Sequence, residues 1–495
     1  MSSRPFLFVR TLACCACVAT IFATVPVAAQ TTVTATARDV LRIEAWSFFD
    51  PPPAGEATTD YAFAGHRLSV GVTAGGPRWT GEGEFQYIQL QFLPREAVAG
   101  APLGNGGYYA EAARNTYAYQ VFARRLNVRY TAGGWSLRVG RQLYESGLEA
   151  DSGVASLEWL KRERLAGRLV SGAESTIVQR AFDGVRADVD HGRWRVTASA
   201  FLPTQGAYEE SATATIEQLR VGTVAVTRRP DGVVSEPFEL QLFAQIYRDQ
   251  RDVRARPDNT SPARLAGDGR LRLEGPPPEV DVTLVTAGAS AVGIVPTVAG
   301  EVEWLGWAAV QAGRWYGMPH RAWSLALEGG HRWTGVAGRP SVRAGLLYAS
   351  GDEDGGDGRH GTFVPPLPDA DRTFRAAAWA PMNVIDLFAS VGVEPHSRLT
   401  LWASLHQTRL ASGNDRWYTG TGATARKGAF FGYTARPASG TTSLGTALDT
   451  RAALRLTRWL SLDGSLAWMR GGDVVRATFL GDRLLVGTVQ TAIAF

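Results

Sequence analysis

The sequence predicts an all-β protein, a transmembrane antiparallel β-barrel of about 18 strands with short periplasmic turns and long extracellular loops. Three observations predict it. The first 29 residues have the layout of an export leader. The remainder divides into short segments of period-2 hydrophobicity, punctuated by Gly, Pro, Asn and Asp. The final segment is apolar on one face and ends on an aromatic residue.

Taken in order, Arg4 and Arg10 precede an uncharged apolar run from Leu12 to Val25, and the small residues Val27, Ala28 and Ala29 stand before Gln30. This predicts a signal peptide over residues 1–29 and a single barrel domain over residues 30–495. The run is short of the roughly 20 residues a spanning helix needs. Cys14, Cys15 and Cys17 all lie inside the leader, and no Leu-x-x-Cys lipidation junction follows the run. A mature chain without thiols has no disulfides, Cys metal ligands or Cys nucleophiles.

Strands are expected near residues 37–50, 61–72, 79–93, 117–132, 135–143, 179–189, 193–203, 216–226 and 238–248. They continue near 281–295, 300–312, 319–329, 340–351, 384–392, 397–408, 444–456, 459–470 and 475–495. Short connections such as Gly133-Gly134, Asp190-His191-Gly192, Glu394-Pro395-His396-Ser397 and Thr457-Arg458 alternate with long ones near 94–116, 144–178, 249–280, 352–383 and 409–443. An even strand count keeps both chain ends on the periplasmic side.

One hairpin shows how faces are assigned. Phe122, Leu126, Val128 and Tyr130 share a parity, continued after the turn by Trp135, Leu137 and Val139, and are assigned to lipid. Arg125, Asn127, Arg129, Ser136, Arg138 and Gln142 take the other parity and are assigned to the lumen. A soluble sandwich would reverse these directions, so the aromatics decide. Trp79, Tyr130, Trp135, Trp194, Trp459 and Phe495 lie near short turns or the chain end, where a lower girdle belongs. Tyr61, Phe92, Tyr247 and Tyr348 lie near the opposite strand ends. In the last strand Leu485, Val489, Ile493 and Phe495 face one way, and Thr488, Gln490, Ala492 and Ala494 the other. A strand closing on Phe resembles the last strand of bacterial outer-membrane barrels, which implies contact with outer-membrane lipid and lipopolysaccharide.

The formal net charge of +4 falls to +2 without Arg4 and Arg10, so it identifies no partner. The kind of charge says more. Of 51 basic residues only Lys161 and Lys427 are lysines, and guanidinium keeps its charge when desolvated and grips carboxylates with two donors. Parity assigns Arg67, Arg186, Arg193, Arg195, Arg343, Arg451 and Arg455 to the lumen, with Asp188, Glu301, Glu303, Glu328 and Asp449 as carboxylate partners. An Arg on the lipid face near the midplane costs about 2–4 kcal/mol, so part of this placement is forced. Rings of fixed positive charge select anions. An acidic polysaccharide or another anionic solute fits such a wall, and Gln89, Gln91, Gln245, Tyr247, Trp402 and His406 are expected to face it too.

Val139-Gly140-Arg141-Gln142-Leu143, the basic Lys161-Arg162-Glu163-Arg164 and Arg180-Ala181-Phe182-Asp183-Gly184-Val185-Arg186 resemble the GRQ and R-x-FDGVR pattern of the alginate export family. Leu240 to Arg248, Glu303 with Gln311-Ala312-Gly313, and Ala349-Ser350-Gly351-Asp352 with Thr362-Phe363 and Asn383 are similar to further blocks of that family. The resemblance spans about Tyr61 to Phe495 and implies an eighteen-stranded outer-membrane barrel for an alginate-like polyuronate. It adds Arg141, Arg180 and Asp183 to the lumenal set. Gly445 to Asp449 lacks the Glu of the family's G-x-E-L-D.

Other motifs are weaker. The stretch Asp352 to Gly358 lacks EF-hand spacing and reads as a solvated external loop. The arginines from Arg248 to Arg264 suit anionic lipopolysaccharide or polymer better than nucleic acid, and no nucleic-acid partner is expected. Seven scattered histidines form no Ser-His-carboxylate pattern, so the reading is a monomeric, non-enzymatic channel with no catalytic residues, metal or cofactor. The alternative is a general or small-anion diffusion porin.

Overall fold

The computed structural model describes residues 31–50, 59–94, 115–207, 209–230, 237–254, 256–259, 263–265, 271–273, 278–369, 374–428 and 431–495. The expected leader lies outside them. Eighteen strands form one sheet: β1 (Thr32–Ser47), β2 (Asp60–Gly75), β3 (Trp79–Gln91), β4 (Tyr117–Ala132), β5 (Trp135–Gln142), β6 (Phe182–His191), β7 (Trp194–Pro203), β8 (Leu219–Arg228) and β9 (Phe238–Asp249). The second half comprises β10 (Val282–Thr297), β11 (Gly300–Trp315), β12 (Met318–Arg332), β13 (Ser341–Ala349), β14 (Val384–His396), β15 (Leu399–Arg409), β16 (Ser443–Arg455), β17 (Leu460–Gly471) and β18 (Arg483–Ala494). Each pairs antiparallel with the next, and β1 closes the barrel on β18, with Arg38 opposite Ala494 and Ser47 opposite Leu485.

The strands fall where the alternation places them, within a few residues, except the last. Asp473–Arg476 is a helical turn with Val474 and Val475 both buried, and β18 starts only at Arg483. Between β4 and β5, Gly133 and Gly134 have φ of +54° and +86°, the left-handed pair that a two-residue hairpin requires. Tyr316 and Gly317, at +48° and +84°, make a similar turn between β11 and β12, so one extracellular connection is short.

The greasy parity faces outward. Val128, Leu137, Val139, Val185, Val189, Leu485 and Val489 are exposed on the barrel's outer surface. Trp79, Trp135, Trp194, Trp459 and Phe495 are exposed at the periplasmic end, where Tyr130 lies 4.5 Å from Trp79 and 5.5 Å from Trp135 between ring centroids. Tyr61 and Tyr247 do not join the upper girdle. Tyr61 stacks on the buried Trp46, and Tyr247 is buried with its hydroxyl donating to Asp249 at 2.9 Å. Phe92 and Tyr348 are there as expected, joined by Tyr117, Tyr119 and Trp323, the last stacked 4.2 Å from Tyr348.

β4 corrects the hairpin assignment. Glu84 and Phe85 of β3 pair with Arg125 and Ala123, skipping Arg124, so the strand bulges there. The extra residue reverses parity: Tyr119 and Val121 point outward, and Phe122 is only 3% exposed. Leu126 and Val128, below the bulge, keep their lipid-facing assignment.

The long connections leave the external rim but turn inward. Residues 143–181, 350–369, 374–383, 410–428 and 431–442 pack together: Val170 bridges Leu367, Arg180 donates to the Ala423 carbonyl at 2.6 Å, and Thr421 bonds the Pro368 carbonyl. They carry Phe363, Leu367, Phe374, Trp379, Trp417 and Phe431, all buried. These side chains require cover that water does not give. The lumenal wall supplies it through Leu305, Trp307 and Leu347. The hydrophobic core therefore sits inside the barrel, not in solvated external loops.

Candidate functional site

Register builds the first half of the site. Arg129 of β4 stands opposite Arg138 of β5, and Arg138 opposite Arg186 of β6, so three guanidiniums form a row across neighbouring strands. Like charges directly opposite repel. Interleaved acceptors relieve them: Arg186 bonds Asp188 at 2.8 and 3.0 Å, Arg138 approaches Glu82 at 3.7 Å, and Arg129 donates to the Ser136 hydroxyl at 3.1 Å. At the bulge, Arg124 and Arg125 both reach Glu84 at 3.2 Å, and Arg124 also pairs with Glu174 of the infolded connection.

The facing wall lies eight strands on, where Arg343 projects from β13. It pairs with Glu303 of β11 and approaches Glu328 of β12 at 3.7 Å, while Arg332 meets Glu303 at 2.9 Å. The infolded connection completes the cluster through its helical turns Ala155–Leu160 and Lys161–Leu165. Arg164 bonds Glu328 at 2.6 Å and Arg168 bonds it at 3.0 Å. Burial alone would weaken Arg164 as a cation; the Glu328 carboxylate outweighs it and holds the guanidinium's pKa above its ordinary value. Lys161, fully buried, anchors these turns by bonding Glu239 at 2.9 Å, Glu158 at 3.2 Å and the Ala150 carbonyl at 2.6 Å. Arg332 lies 4.6 Å above the Trp159 ring and Arg164 4.8 Å above Phe388. The segment thus descends to the periplasmic ends of β9 and β12 and narrows the lumen. A cavity of about 40 Å³ beside it is lined by Arg164, Arg168, Glu328, Asp386 and His406 together with Trp307, Leu347, Phe363 and Phe388.

The structure also places the other expected residues. Arg67 is buried on the lumenal face and donates to the Thr176 carbonyl at 3.0 Å. Arg195 pairs with Asp190 at 2.7 Å, Asp449 accepts the Arg375 amide at 3.2 Å, and Arg451 pairs with Asp463 at 2.8 Å beside Trp402. Arg455 lies exposed at the periplasmic end of β16 and donates to the Ser397 carbonyl at 3.2 Å.

Several expected lumenal residues lie elsewhere. Arg193 sits exposed in the turn after β6. Gln142 and Arg180 are fully buried in the packing between wall and infolded segments. Arg141 and Asp183 have the parity of outward Val139 and Val185; they pair at 2.7 Å and tie the wall to the Thr213 carbonyl at 3.1 Å. Gln89 and Gln91 also face outward, Gln89 donating to the Tyr117 hydroxyl at 2.8 Å, whereas Gln86 faces inward and bonds Gln179 at 3.0 Å. Sequence reading missed Arg124 because nothing in the alternation marks the bulge. It missed the lumenal position of Arg164 and Arg168 because infolding follows from packing between distant segments. The large apolar residues of the connections were the available signal.

No curated protein matches the chain. The family model described as alginate export matches residues 113–480. Solved structures of the same fold include OpdK of Pseudomonas aeruginosa, 8% identical over 93% of this chain and 99% of its own, with a TM-score of 0.54. OccAB1 of Acinetobacter baumannii is 10% identical over 93% and 96%, at 0.54. OccK9 (OpdG) of P. aeruginosa is 10% identical over 94% and 98%, at 0.55. At such identities these barrels speak for the fold alone. The family match spans most of the chain, and with the closed barrel it identifies the protein as a member of the alginate export family, a channel of the bacterial outer membrane and not an enzyme.

Proposed function

We propose that this channel selects anions and passes an acidic polysaccharide, an alginate-like polyuronate. The row Arg129, Arg138 and Arg186 carries the reading, because successive guanidiniums meet a polymer that offers a carboxylate on each sugar. Passage needs many weak sites more than one tight one. The interleaved Glu82, Ser136 and Asp188 temper each cation in that sense. Trp402, 5.5 Å from the Arg451 guanidinium, adds a ring on which a sugar can stack.

A second reading, a pore for small anions without polymer specificity, draws support from the same pairing, which leaves little positive surplus, and from the infolded segment that narrows the lumen. OpdK, of similar fold, has been solved with vanillate, itself a carboxylate. Bilayer recordings with oligogalacturonate and a neutral oligosaccharide of equal length separate the two. The polymer reading expects salt-sensitive block by the uronate and none by the neutral chain. Equal block, or no block, favours the small-solute pore.

A further inference from the structure

Six of the eight periplasmic turns carry an arginine: Arg78, Arg193, Arg229, Arg339, Arg398 and Arg458. Against these six the same intervals of sequence hold two carboxylates, Asp231 and Glu236, both between β8 and β9. The nine external connections have the opposite balance, with 28 carboxylates and 21 Lys and Arg residues. Composition alone does not produce this contrast, since an arginine-rich genome would load both ends alike. Arg78, Arg193, Arg339, Arg398 and Arg458 are exposed. Arg229 meets Asp190 at 3.0 Å and Arg339 meets Glu394 at 3.1 Å. Arg398 donates to the Leu456 carbonyl at 3.2 Å, which holds its guanidinium between two turns.

We propose that these turns form a cationic collar that captures the polyanionic chain at the periplasmic mouth, before it meets the lumenal arginines. The inference rests on the polyuronate reading and adds a site and a side to it. The arginines follow β2, β6, β8, β12, β14 and β16, so they surround the pore axis. A docked protein would need one contiguous patch; a chain threading the axis needs a ring. Charge of one sign around a mouth raises the encounter rate of opposite charge about 10- to 1,000-fold at low salt. The collar therefore acts on the rate of capture, while pairing inside the lumen sets the residence time.

The test is block kinetics with oligogalacturonate added to one side of a bilayer. Val298→Cys, in the fully exposed turn after β10, marks the periplasmic side by one-sided thiol labelling. Blocking events should start more often from the periplasmic side. In the triple variant Arg78→Gln, Arg398→Gln, Arg458→Gln that on-rate should fall about three- to tenfold at low salt, with the off-rate and the open-channel conductance kept. Equal on-rates from the two sides, or an unchanged on-rate in a variant of normal conductance, overturns the collar and leaves the polyuronate reading standing. Absence of block from either side overturns both.

Discussion

Arg129 and Arg138 stand opposite each other with only a serine hydroxyl and a distant carboxylate to relieve them, so they are the lumenal cations whose field reaches a passing solute most directly. Replacing both with Gln should lower the anion-to-cation permeability ratio, more at 0.01 M than at 1 M salt, because screening shortens the Debye length from about 30 Å to 3 Å. An unchanged ratio at low salt would place the selectivity elsewhere. Asp415, in an infolded connection, makes a pH-dependent contribution. Burial raises its pKa to about 6 against the bonds it accepts from Thr362, Tyr418 and the Asp352 amide. The folded state thus holds a proton that the unfolded chain releases between the ordinary carboxylate range and about pH 6. Stability is therefore greatest below that window and falls as pH rises through it, by about 3 kcal/mol if the connection opens as a unit. Hydrogen-exchange protection of residues 415–421 should be higher at pH 5 than at pH 7.5, and Asp415→Asn should remove the difference. At this scale the sequence was legible where strands are regular: Arg129, Arg138, Arg186, Arg343 and Arg451 face the lumen as parity requires. Parity also assigns Arg141 and Asp183 correctly, to the outer face; their lumenal assignment comes from the motif, which does not say which way its residues point.

At the scale of elements, β4 shows both the strength and the limit of pattern. Its lower half alternates cleanly, and Leu126, 61% exposed on the outer face, meets hydrocarbon. Leu126→Arg should cost about 2–4 kcal/mol in unfolding from lipid vesicles, whereas the same change one position on, Asn127→Arg, should cost less because it faces the lumen. Equal costs would contradict the assignment of faces. The bulge at Arg124 is invisible to alternation, since a single extra residue leaves each half of the strand with a correct pattern of its own. The infolded turns Ala155–Leu160 and Lys161–Leu165 are the element that narrows the pore, and Glu328 holds them through Arg164 and Arg168. Removing a buried partner leaves its cations uncompensated, at about 3–5 kcal/mol. Glu328→Gln should therefore release the segment and raise single-channel conductance. Unchanged conductance would show that Lys161 and Glu239 hold the turns without it.

For the whole molecule, closure explains why the fold was readable and its contents were not. Eighteen strands repeat one rule, an apolar outer face, so each supplies independent notice of the same architecture. The contents of the lumen depend on which connections fold back, and that is decided by contacts such as Val170 with Leu367 and Arg180 with Ala423, between residues far apart in the chain. The same closure turns scattered arginines into a charged passage. The most direct test is the reversal potential of the purified barrel in a bilayer under a tenfold KCl gradient. A preference for chloride that weakens as total salt rises is the result expected of an arginine-lined lumen. Zero potential, or a preference for potassium, would show that the carboxylates neutralise the wall and would contradict the account.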